Sequence, residues 1–290
     1  MLTGTHMTNI AQALPLDQIP SLKKSERMPV LFVGHGSPMN AIEDNEYRRS
    51  WQKLGAEFGS KLPRPQLILC ISAHWLTEGW WLTGMAQPKT IHDFGGFPQE
   101  LFEQQYPAPG DSVAAQAISL LVRQRHSAPL GLDKGEWGLD HGTWSVLHPM
   151  FPDADIPVIQ LSMDYSRAPE EHYALAQQLK TLRERGVLIV GSGNIVHNLR
   201  AARWSGAGNQ TYDWALEFDA VTGEHIAQGR LGALQDFQKL GALAQQAHPT
   251  WEHYLPLLYA AGAVDAKEPP RFFNTSFQLA SISMRSVLWG

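Results

Sequence analysis

The chain has 290 residues, of which 43% are hydrophobic and 18% are charged, and its formal net charge is −5. This composition is that of a globular protein, and the negative charge, without any basic run, argues against a nucleic-acid partner. The single cysteine, Cys70, excludes an internal disulfide and favours a reducing compartment.

The sequence contains no run of 18 consecutive apolar residues, and its first 27 residues lack the apolar segment of a secretory signal. We therefore expect a cytoplasmic protein that has no membrane partner and is a monomer or a small homo-oligomer. Residues 1–27 are predicted to be a loosely ordered N-terminal extension, and residues 28–290 a single domain.

Three strand-like runs of apolar residues lead through small residues to a histidine, at His35, His74 and His197. A helical pattern separates the first two runs, which is the order that a right-handed parallel crossover requires. We predict an α/β fold with a central, mostly parallel or mixed sheet flanked by helices. Because loops at the carboxyl ends of parallel strands meet in one crevice, the three histidines should converge there, and the active site is expected at that edge.

Periodic apolar residues predict the helices near the start of the chain. The first helix is expected to begin at Asp44 and to bury four residues at helical spacing: Tyr47, Trp51, Leu54 and Phe58. Asp111 is expected to cap a second helix, because aspartate is a favoured N-cap residue. The predicted buried face of this helix has four members: Val113, Ala117, Leu120 and Leu121.

The rest of the chain alternates between loop-like and regular patterns. Residues 91–98 are too rich in glycine for regular structure and are predicted to form a compact loop. The other predicted segments are a loop at 133–148, a strand at 156–161, helices at 169–185 and 250–261, and a last strand at 277–289.

Histidines at strand ends indicate a metal site, because neutral imidazole is a common ligand for divalent transition metals. A mononuclear catalytic site needs about three protein ligands and open positions for substrate or water. His35 and His74 would be two of these ligands, and the third is expected among His248, Glu252 and His253. Consecutive helical residues point about 100° apart, so only one of Glu252 and His253 is expected to reach the ion.

Two other chemistries fit the sequence less well. Gly191-Ser-Gly193 and Gly34-His-Gly-Ser37 lack the later glycine of a dinucleotide fingerprint and the lysine of a phosphate loop. Ser37 lies close to His35, but it is not in the Gly-x-Ser-x-Gly turn that presents the nucleophile of many hydrolases. Nucleotide binding is therefore not predicted, and a serine hydrolase is disfavoured.

A set of motifs in the chain resembles the class III extradiol ring-cleavage dioxygenases, and most closely the branch with the 4,5-DOPA extradiol dioxygenases. The resemblance runs from about Met28 to the C-terminus, with the motifs in matching order. They are Gly34-His-Gly-Ser-Pro38, Ser72-Ala-His-Trp75, Ile91-His-Asp-Phe-Gly-Gly-Phe97, Asp140-His-Gly-Thr-Trp144, Gly191-Ser-Gly-Asn194 with His197, and Glu252-His-Tyr-Leu-Pro-Leu257.

This resemblance implies that residues 28–290 form a catalytic domain around one mononuclear divalent metal, with Fe(II) required for activity. His35 and His74 match two metal ligands, and His253 matches the third, which is a glutamate in better-studied relatives. His197 matches the acid/base histidine and is also a candidate fourth ligand, whereas His141 matches a catalytic histidine on the substrate side. An all-imidazole set also suits zinc, so zinc is expected in the isolated protein as well.

The partners implied by the resemblance are a small aromatic diol, a DOPA-like catechol, and O₂. Four aromatic residues near the motifs are expected to wall its flat ring: Trp75, Phe94, Phe97 and Trp144. Two alternatives from other classes use the same histidines. One is a zinc-dependent hydrolase with a bound water as nucleophile, and the other is a non-catalytic metal-binding protein.

Overall fold

A central sheet of eight strands crosses the part of the chain that the computed structural model describes, residues 19–204 and 210–290. Helices lie on both faces of this sheet, which confirms the predicted single α/β domain. The strands, including the separate pair β8 and β9, are β1 (Val30–Gly34), β2 (Leu67–Thr77), β3 (Trp81–Thr83), β4 (Gly131–Asp133), β5 (Val158–Asp164), β6 (Val187–Gly193), β7 (Pro270–Phe273), β8 (Phe277–Gln278), β9 (Ile282–Ser283) and β10 (Ser286–Trp289).

The middle of the sheet is parallel and its sides are mixed. The strand order is β4-β3-β5-β2-β6-β1-β10-β7, and the four neighbours β5, β2, β6 and β1 are parallel to one another. On the two sides, β3 is antiparallel to β5 and β10 is antiparallel to β1. The carboxyl ends of the four parallel strands therefore share one edge, as the sequence predicted.

Alternate residues of the central strands enter two separate apolar cores. In β1, Val30 and Phe32 belong to one core, whereas Leu31 and Val33 belong to the other, and all four are fully buried. This alternation follows from the two-residue period of a strand. The sheet is thus the middle layer of three, with an apolar core on each of its faces.

The helices begin and end at α1 (Glu46–Gly55), α2 (Gln99–Phe102), α3 (Ser112–Leu121), α4 (His141–Met150), α5 (Pro169–Leu179), α6 (Asp213–Ala227), α7 (Ala242–Ala247) and α8 (Leu255–Gly262). Helix α1 begins two residues later than predicted, because the Asn45 side chain, rather than Asp44, accepts the free backbone N–H groups. The predicted helix at 169–185 is α5 followed by a 3₁₀ turn, and Gly186, at φ 71°, ends it.

Helix α3 is capped by Asp111 as predicted, but it buries a different face. Val113 and Leu120, predicted to be buried, are 52% and 39% exposed. The buried face is instead formed by Ala114, Ala115, Ile118 and Ser119. Two alanines side by side let the helix approach strands β3 and β4 closely, so packing shape rather than apolarity selects this face.

Two further predictions were wrong in the type of element. The predicted loop at 133–148 becomes helix α4 from His141 onward, because Asp140 caps it by accepting the Thr143 N–H. The predicted last strand at 277–289 is divided into β8, β9 and β10. It is interrupted because Leu279 and Ala280 both have positive φ angles, 52° and 65°, which a strand does not allow.

Residues 1–18, most of the predicted N-terminal extension, lie outside the described residues. The adjoining segment packs on the domain, where Ile19 and Leu22 are buried and the Ser25 N–H donates to the Glu184 carbonyl. Within residues 19–204 and 210–290, no helix is both long enough and apolar enough to cross a lipid bilayer.

Candidate metal centre

A cavity of about 400 Å³ opens at the carboxyl ends of β1, β2 and β6. Its polar lining is dominated by five of the histidines that the sequence analysis selected: His35, His74, His141, His197 and His253. The rest of the described lining is mostly apolar or glycine: Gly36, Ser37, Pro38, Phe94, Gly95, Gly96, Phe97, Leu199, Trp204, Leu279 and Ile282. The structure thus brings together all five histidines from distant parts of the chain.

The strand ends place the first two histidines. His35 directly follows β1, and its backbone N–H donates to the Gly193 carbonyl at the end of β6. His74 lies inside β2, where the pairing with β5 shifts register between Ile71 and Leu76. Such an irregularity redirects side chains, and here it directs His74 into the cavity.

The ring nitrogens of His35 and His74 face each other. Their Nε2 atoms are 3.3 Å apart, and the His35 Nδ1 atom is 3.0 Å from the Ser192 hydroxyl. Metal–nitrogen distances of about 2.0–2.1 Å in a tetrahedral site separate two ligand nitrogens by roughly 3.3 Å. The pair is therefore spaced as two ligands of one ion would be.

His253 lies in the turn before α8, not in the helix that the sequence predicted. The helix begins only at Leu255, because Pro256 lacks an N–H and fits the first turn of a helix. In this turn the His253 Nδ1 atom is 3.1 Å from the Glu252 Oε1 atom. Glu252 therefore contacts His253 directly, and the expectation that only one of the two reaches an ion stays a prediction.

His253 also stands close to the other histidines. Its ring centroid is 5.3 Å from that of His35 and 5.0 Å from that of His74. The His197 ring stacks on it with a centroid separation of 3.5 Å. His197 is held by its backbone N–H, which donates to the Ala247 carbonyl.

Asp93 connects two histidines on the opposite wall. Its Oδ1 atom accepts the backbone N–H of His141 at 2.9 Å and lies 3.0 Å from the His141 Nδ1 atom. Its Oδ2 atom is 3.5 Å from the His74 Nδ1 atom. Burial raises the pKa of Asp93, but the hydrogen bond and charge of His141, with His74, outweigh burial and lower that pKa to about 2. Asp93 is thus an anion beside the histidine cluster.

Four histidines of the cluster, His35, His74, His197 and His253, have lowered pKa values and are electrically neutral near pH 7. Burial, followed by repulsion between neighbouring histidines, lowers the pKa values of His35, His74 and His253 well below 6.5. The pKa of His197 falls to about 3 for the same first reason, with His248 and His141 as further causes. Neutral imidazole is the form that binds metals, so the cavity favours ligation.

Two groups of three residues could each hold a metal, because the ligand atoms inside each group lie within 4.8 Å of one another. One group is His35, His74 and His141, and the other is His197, Glu252 and His253. The first group means that a buried histidine cluster able to hold a metal is present. It also shows that His141 competes with His253 for the third position next to His35 and His74. The predicted ligand set therefore stays a prediction, and the two candidates differ in their surroundings.

Other predicted site residues are not in the cavity. The His248 Nε2 atom is 2.6 Å from the Ile195 carbonyl oxygen, outside the described lining, so His248 is a structural residue. Trp75 is absent from the described cavity lining and stacks on Trp137, with ring centroids 5.8 Å apart. Trp144 is fully buried and its indole N–H donates to the Ile91 carbonyl, behind the cavity wall. The prediction that these two tryptophans wall a ring was wrong.

Phe94 and Phe97 do line the cavity, as predicted, and their rings meet edge to face. The sequence analysis missed four apolar lining residues: Leu199, Trp204, Leu279 and Ile282. It also missed Asp93 and Ser192 as partners of the histidines. Both lie inside quoted motifs, so the motifs contained the signal, but only the three-dimensional contacts show what these side chains touch.

The chain is similar to known proteins over most of its length, including the residues of the cavity. The sequence model of the family described as "Catalytic LigB subunit of aromatic ring-opening dioxygenase" matches residues 29–286. A protein of Escherichia coli (strain K12) named "4,5-DOPA dioxygenase extradiol" is 46% identical over 273 residues, or 93% of this chain and 97% of that protein. The Beta vulgaris protein of the same name is 34% identical, over 85% of this chain and 90% of its own length.

The fold of the chain is similar to that of a solved structure. The crystal structure of an uncharacterized protein from Escherichia coli K12 is 43% identical in sequence and superposes with a TM-score of 0.77. The match covers 91% of this chain and 100% of that one. All five cavity histidines lie inside the range that the family model matches.

Proposed function

The chain belongs to the family of catalytic LigB subunits of aromatic ring-opening dioxygenases, and we propose that it opens a DOPA-like catechol with Fe(II) and O₂. As a member it is an extradiol ring-cleavage dioxygenase. Of the three functions that the histidine cluster allowed, the family membership favours this one over a zinc hydrolase or a metal-binding protein without activity.

One observation supports the metal requirement most strongly, namely the 3.3 Å separation of the His35 and His74 Nε2 atoms. Two neutral imidazoles at this distance either share one N–H···N hydrogen bond or, when both carry their hydrogen on Nδ1, direct two lone pairs at one point where a cation would bind. The Nδ1 contacts with the Ser192 hydroxyl and the Asp93 carboxylate favour the second arrangement. A buried group of neutral nitrogen donors suits both Fe(II) and Zn(II). We propose one divalent metal per chain, with iron in the active form and zinc as the competing ion.

We propose His253 as the third ligand, with His197 as a candidate fourth. The Glu252 carboxylate can only accept from the His253 Nδ1 atom, so it would leave the His253 Nε2 atom free for the ion. His141, in contrast, lies on the aromatic wall, where its ring centroid is 5.5 Å from that of Phe94. That place suits a group that contacts substrate.

A bound Fe(II) ion would supply Lewis acidity toward the catechol hydroxyls and redox chemistry with O₂. The chain itself then has to position the ring and to move protons. Phe94 and Phe97 offer an apolar surface for one face of the ring. His197, whose neutral ring has a free nitrogen lone pair, accepts a hydroxyl proton, and His141 donates a hydrogen bond to an oxygen of the substrate.

The proposed substrate class follows from the cavity and from the relatives. A cavity of about 400 Å³ holds an aromatic diol with a short side chain, and it falls within the usual size range of small-molecule sites. The two named relatives are both 4,5-DOPA dioxygenases. We therefore propose a catechol with a small substituent, of which DOPA is the first example to test.

The test is anaerobic reconstitution of the metal-free protein with Fe(II), followed by an oxygen-electrode assay over a panel of catechols. We expect one O₂ consumed per catechol and a yellow ring-opened product. Matched samples contain Zn(II) in place of Fe(II), or Fe(II) under argon, and neither should turn over. Turnover with zinc or without O₂ would support the hydrolase, and tight metal binding without turnover would support the non-catalytic alternative.

A further inference from the structure

The segment Gly191-Ser-Gly-Asn194, which fits no nucleotide motif, contacts two histidines of the cluster and the backbone next to a third. The Gly193 carbonyl accepts the His35 backbone N–H, and the Asn194 N–H donates to the His253 carbonyl at 2.8 Å. The Ser192 hydroxyl lies between the His35 side chain and the backbone of Gly142, at the start of α4. The end of β6 is therefore a common support for residues that arrive from β1, α4 and the turn before α8.

Close packing explains the two glycines of this segment. A Cβ atom on Gly193 would collide with the His253 carbonyl oxygen, and one on Gly191 would collide with the carbonyl oxygen of Pro256. Any side chain at these positions would push the turn that carries His253 away from β6. Ser192, between them, points to the other face of the strand, toward His35.

The hydrogen bonds of the Ser192 hydroxyl follow from the two atoms that it contacts. Its Oγ atom is 2.5 Å from the Gly142 carbonyl oxygen and 3.0 Å from the His35 Nδ1 atom. A carbonyl oxygen only accepts, so the single hydroxyl hydrogen of Ser192 is donated to Gly142. Toward His35 the Ser192 oxygen must then accept, which requires the hydrogen of the neutral ring to be on Nδ1.

We infer that Ser192 is a positioning residue that fixes the Nδ1–H tautomer of His35 and so keeps the His35 Nε2 lone pair directed at the metal. This inference rests on the proposed function in so far as His35 is a ligand. Partners that hold the second nitrogen of a ligating histidine fix both its tautomer and its orientation. Ser192 would do this from the strand that also supports His253.

Removal of the hydroxyl has a specific consequence. In Ser192→Ala, the buried His35 Nδ1–H loses the hydroxyl acceptor and keeps only the contact with the backbone of residue 192, so the tautomer with hydrogen on Nε2 becomes competitive. That tautomer directs a hydrogen instead of a lone pair toward the ion. Zinc affinity should therefore fall by roughly 10- to 100-fold, the usual effect of deleting an outer partner of a ligand histidine.

The experiment measures the tautomer directly, in metal-free protein labelled with ¹⁵N in its histidines. Long-range ¹H–¹⁵N spectra distinguish a protonated from an unprotonated ring nitrogen, and the His35 signals are assigned with a His35→Ala variant. In the wild type we expect His35 to be protonated on Nδ1 alone. In Ser192→Ala we expect a mixture or the Nε2–H form, and zinc competition against a coloured chelator gives the affinity.

Ser119→Ala is the matched control, because the Ser119 hydroxyl is also buried and donates to a carbonyl, that of Leu130 in the strand-edge region next to α3. It should change neither the His35 tautomer nor zinc affinity. If Ser192→Ala does not fold, Ser192→Cys retains a weak acceptor and should show a smaller shift in the same direction. Wild-type His35 spectra together with wild-type zinc affinity in the folded Ser192 variant would overturn the inference.

The tautomer measurement needs neither catechol nor O₂, so it separates the two proposals. A shifted His35 tautomer in a protein that opens no catechol would leave the role of Ser192 intact and contradict the proposed function. An unshifted tautomer in an active dioxygenase would do the opposite.

Discussion

The imidazole rings of His197 and His253 lie face to face, with centroids 3.5 Å apart and planes 5° from parallel. Their surroundings differ, because the His253 Nδ1 atom contacts the Glu252 carboxylate, whereas His197 is anchored through its backbone to Ala247. A carboxylate on Nδ1 is typical of a ligand histidine. The pair therefore places a proposed ligand against a proposed proton acceptor.

His197→Ala should separate these two roles. We expect the variant to retain Fe(II) and to bind catechol, while its turnover falls by roughly 10²- to 10⁴-fold, the usual contribution of a positioned proton-transfer group. Iron content, catechol affinity and rate are measured on one preparation. Loss of iron at a normal circular dichroism spectrum would mean that His197 is a ligand first, and His141 would become the next candidate for the base.

His253→Ala and His141→Ala, compared side by side, should identify the third ligand. We expect His253→Ala to lose more metal affinity than the roughly 10- to 100-fold that an outer partner costs, and to lose activity with it. His141→Ala should still bind one metal per chain, because its loss removes a substrate contact. Metal analysis after dialysis provides the readout, and the reverse pattern would assign the third position to the group of His35, His74 and His141.

The convergence of the histidines was predictable because it follows from topology. A histidine that follows an apolar strand in a parallel sheet has to lie at the shared edge, and His35 and His197 are examples. The position of Ser192 in a Gly-Ser-Gly run was equally visible, but its role was not. That role depends on the two atoms that its hydroxyl contacts, which belong to segments 50 and 157 residues away in sequence.

The errors came from patterns that allow more than one structure. Helix α3 is apolar around most of its circumference, so periodicity did not decide which face is buried, and the small Ala114 and Ala115 did. For the segment before α8, the presence of Pro256 indicated a helix nearby but not its first residue. His253 lines the cavity although it was placed in the wrong element, and its role as a metal ligand stays a prediction.

His172 predicts a pH dependence of stability away from the cavity. Its Nδ1 atom is 2.7 Å from the Tyr259 hydroxyl, which already accepts the indole N–H of Trp80 and so donates to His172. Burial lowers the pKa of His172 from 6.5 to about 4. Because the unfolded chain binds this proton first as the pH falls, the contribution to stability is complete above pH 7 and is lost progressively between about 6.5 and 4.

From these pKa values, the free energy of unfolding should fall by about 2 kcal/mol between pH 7 and pH 5 through His172 alone. His172→Gln keeps an acceptor for Tyr259 but does not titrate, so its loss over the same interval should be smaller by that amount. Urea denaturation at pH 5, 6 and 7 gives both values. Parallel pH profiles for the two proteins would show that His172 does not titrate in this way.

The charge of the cavity determines how strongly a charged substrate side chain can be bound. Among the described lining residues there is no lysine or arginine, and residues 205–209, next to Trp204, are Ser-Gly-Ala-Gly-Asn in the sequence. Nearby, Arg203 is engaged with Tyr212, its guanidinium carbon 4.4 Å from the ring centroid. The described part of the cavity wall therefore has no arginine that could hold a substrate carboxylate with two parallel hydrogen bonds, the arrangement that makes such recognition strong.

DOPA and dopamine differ only in the carboxylate, so they form a matched pair for this test. We expect their kcat/KM values with the Fe(II) protein to agree within about tenfold, because loss of a group that makes no buried ion pair has little effect. An enzyme that paired the carboxylate with a buried cation would lose roughly 2–5 kcal/mol with dopamine, a factor of about 30 to several thousand. Oxygen uptake over a range of concentrations measures both substrates, and a preference for DOPA in that larger range would show that a cation reaches the side chain after all.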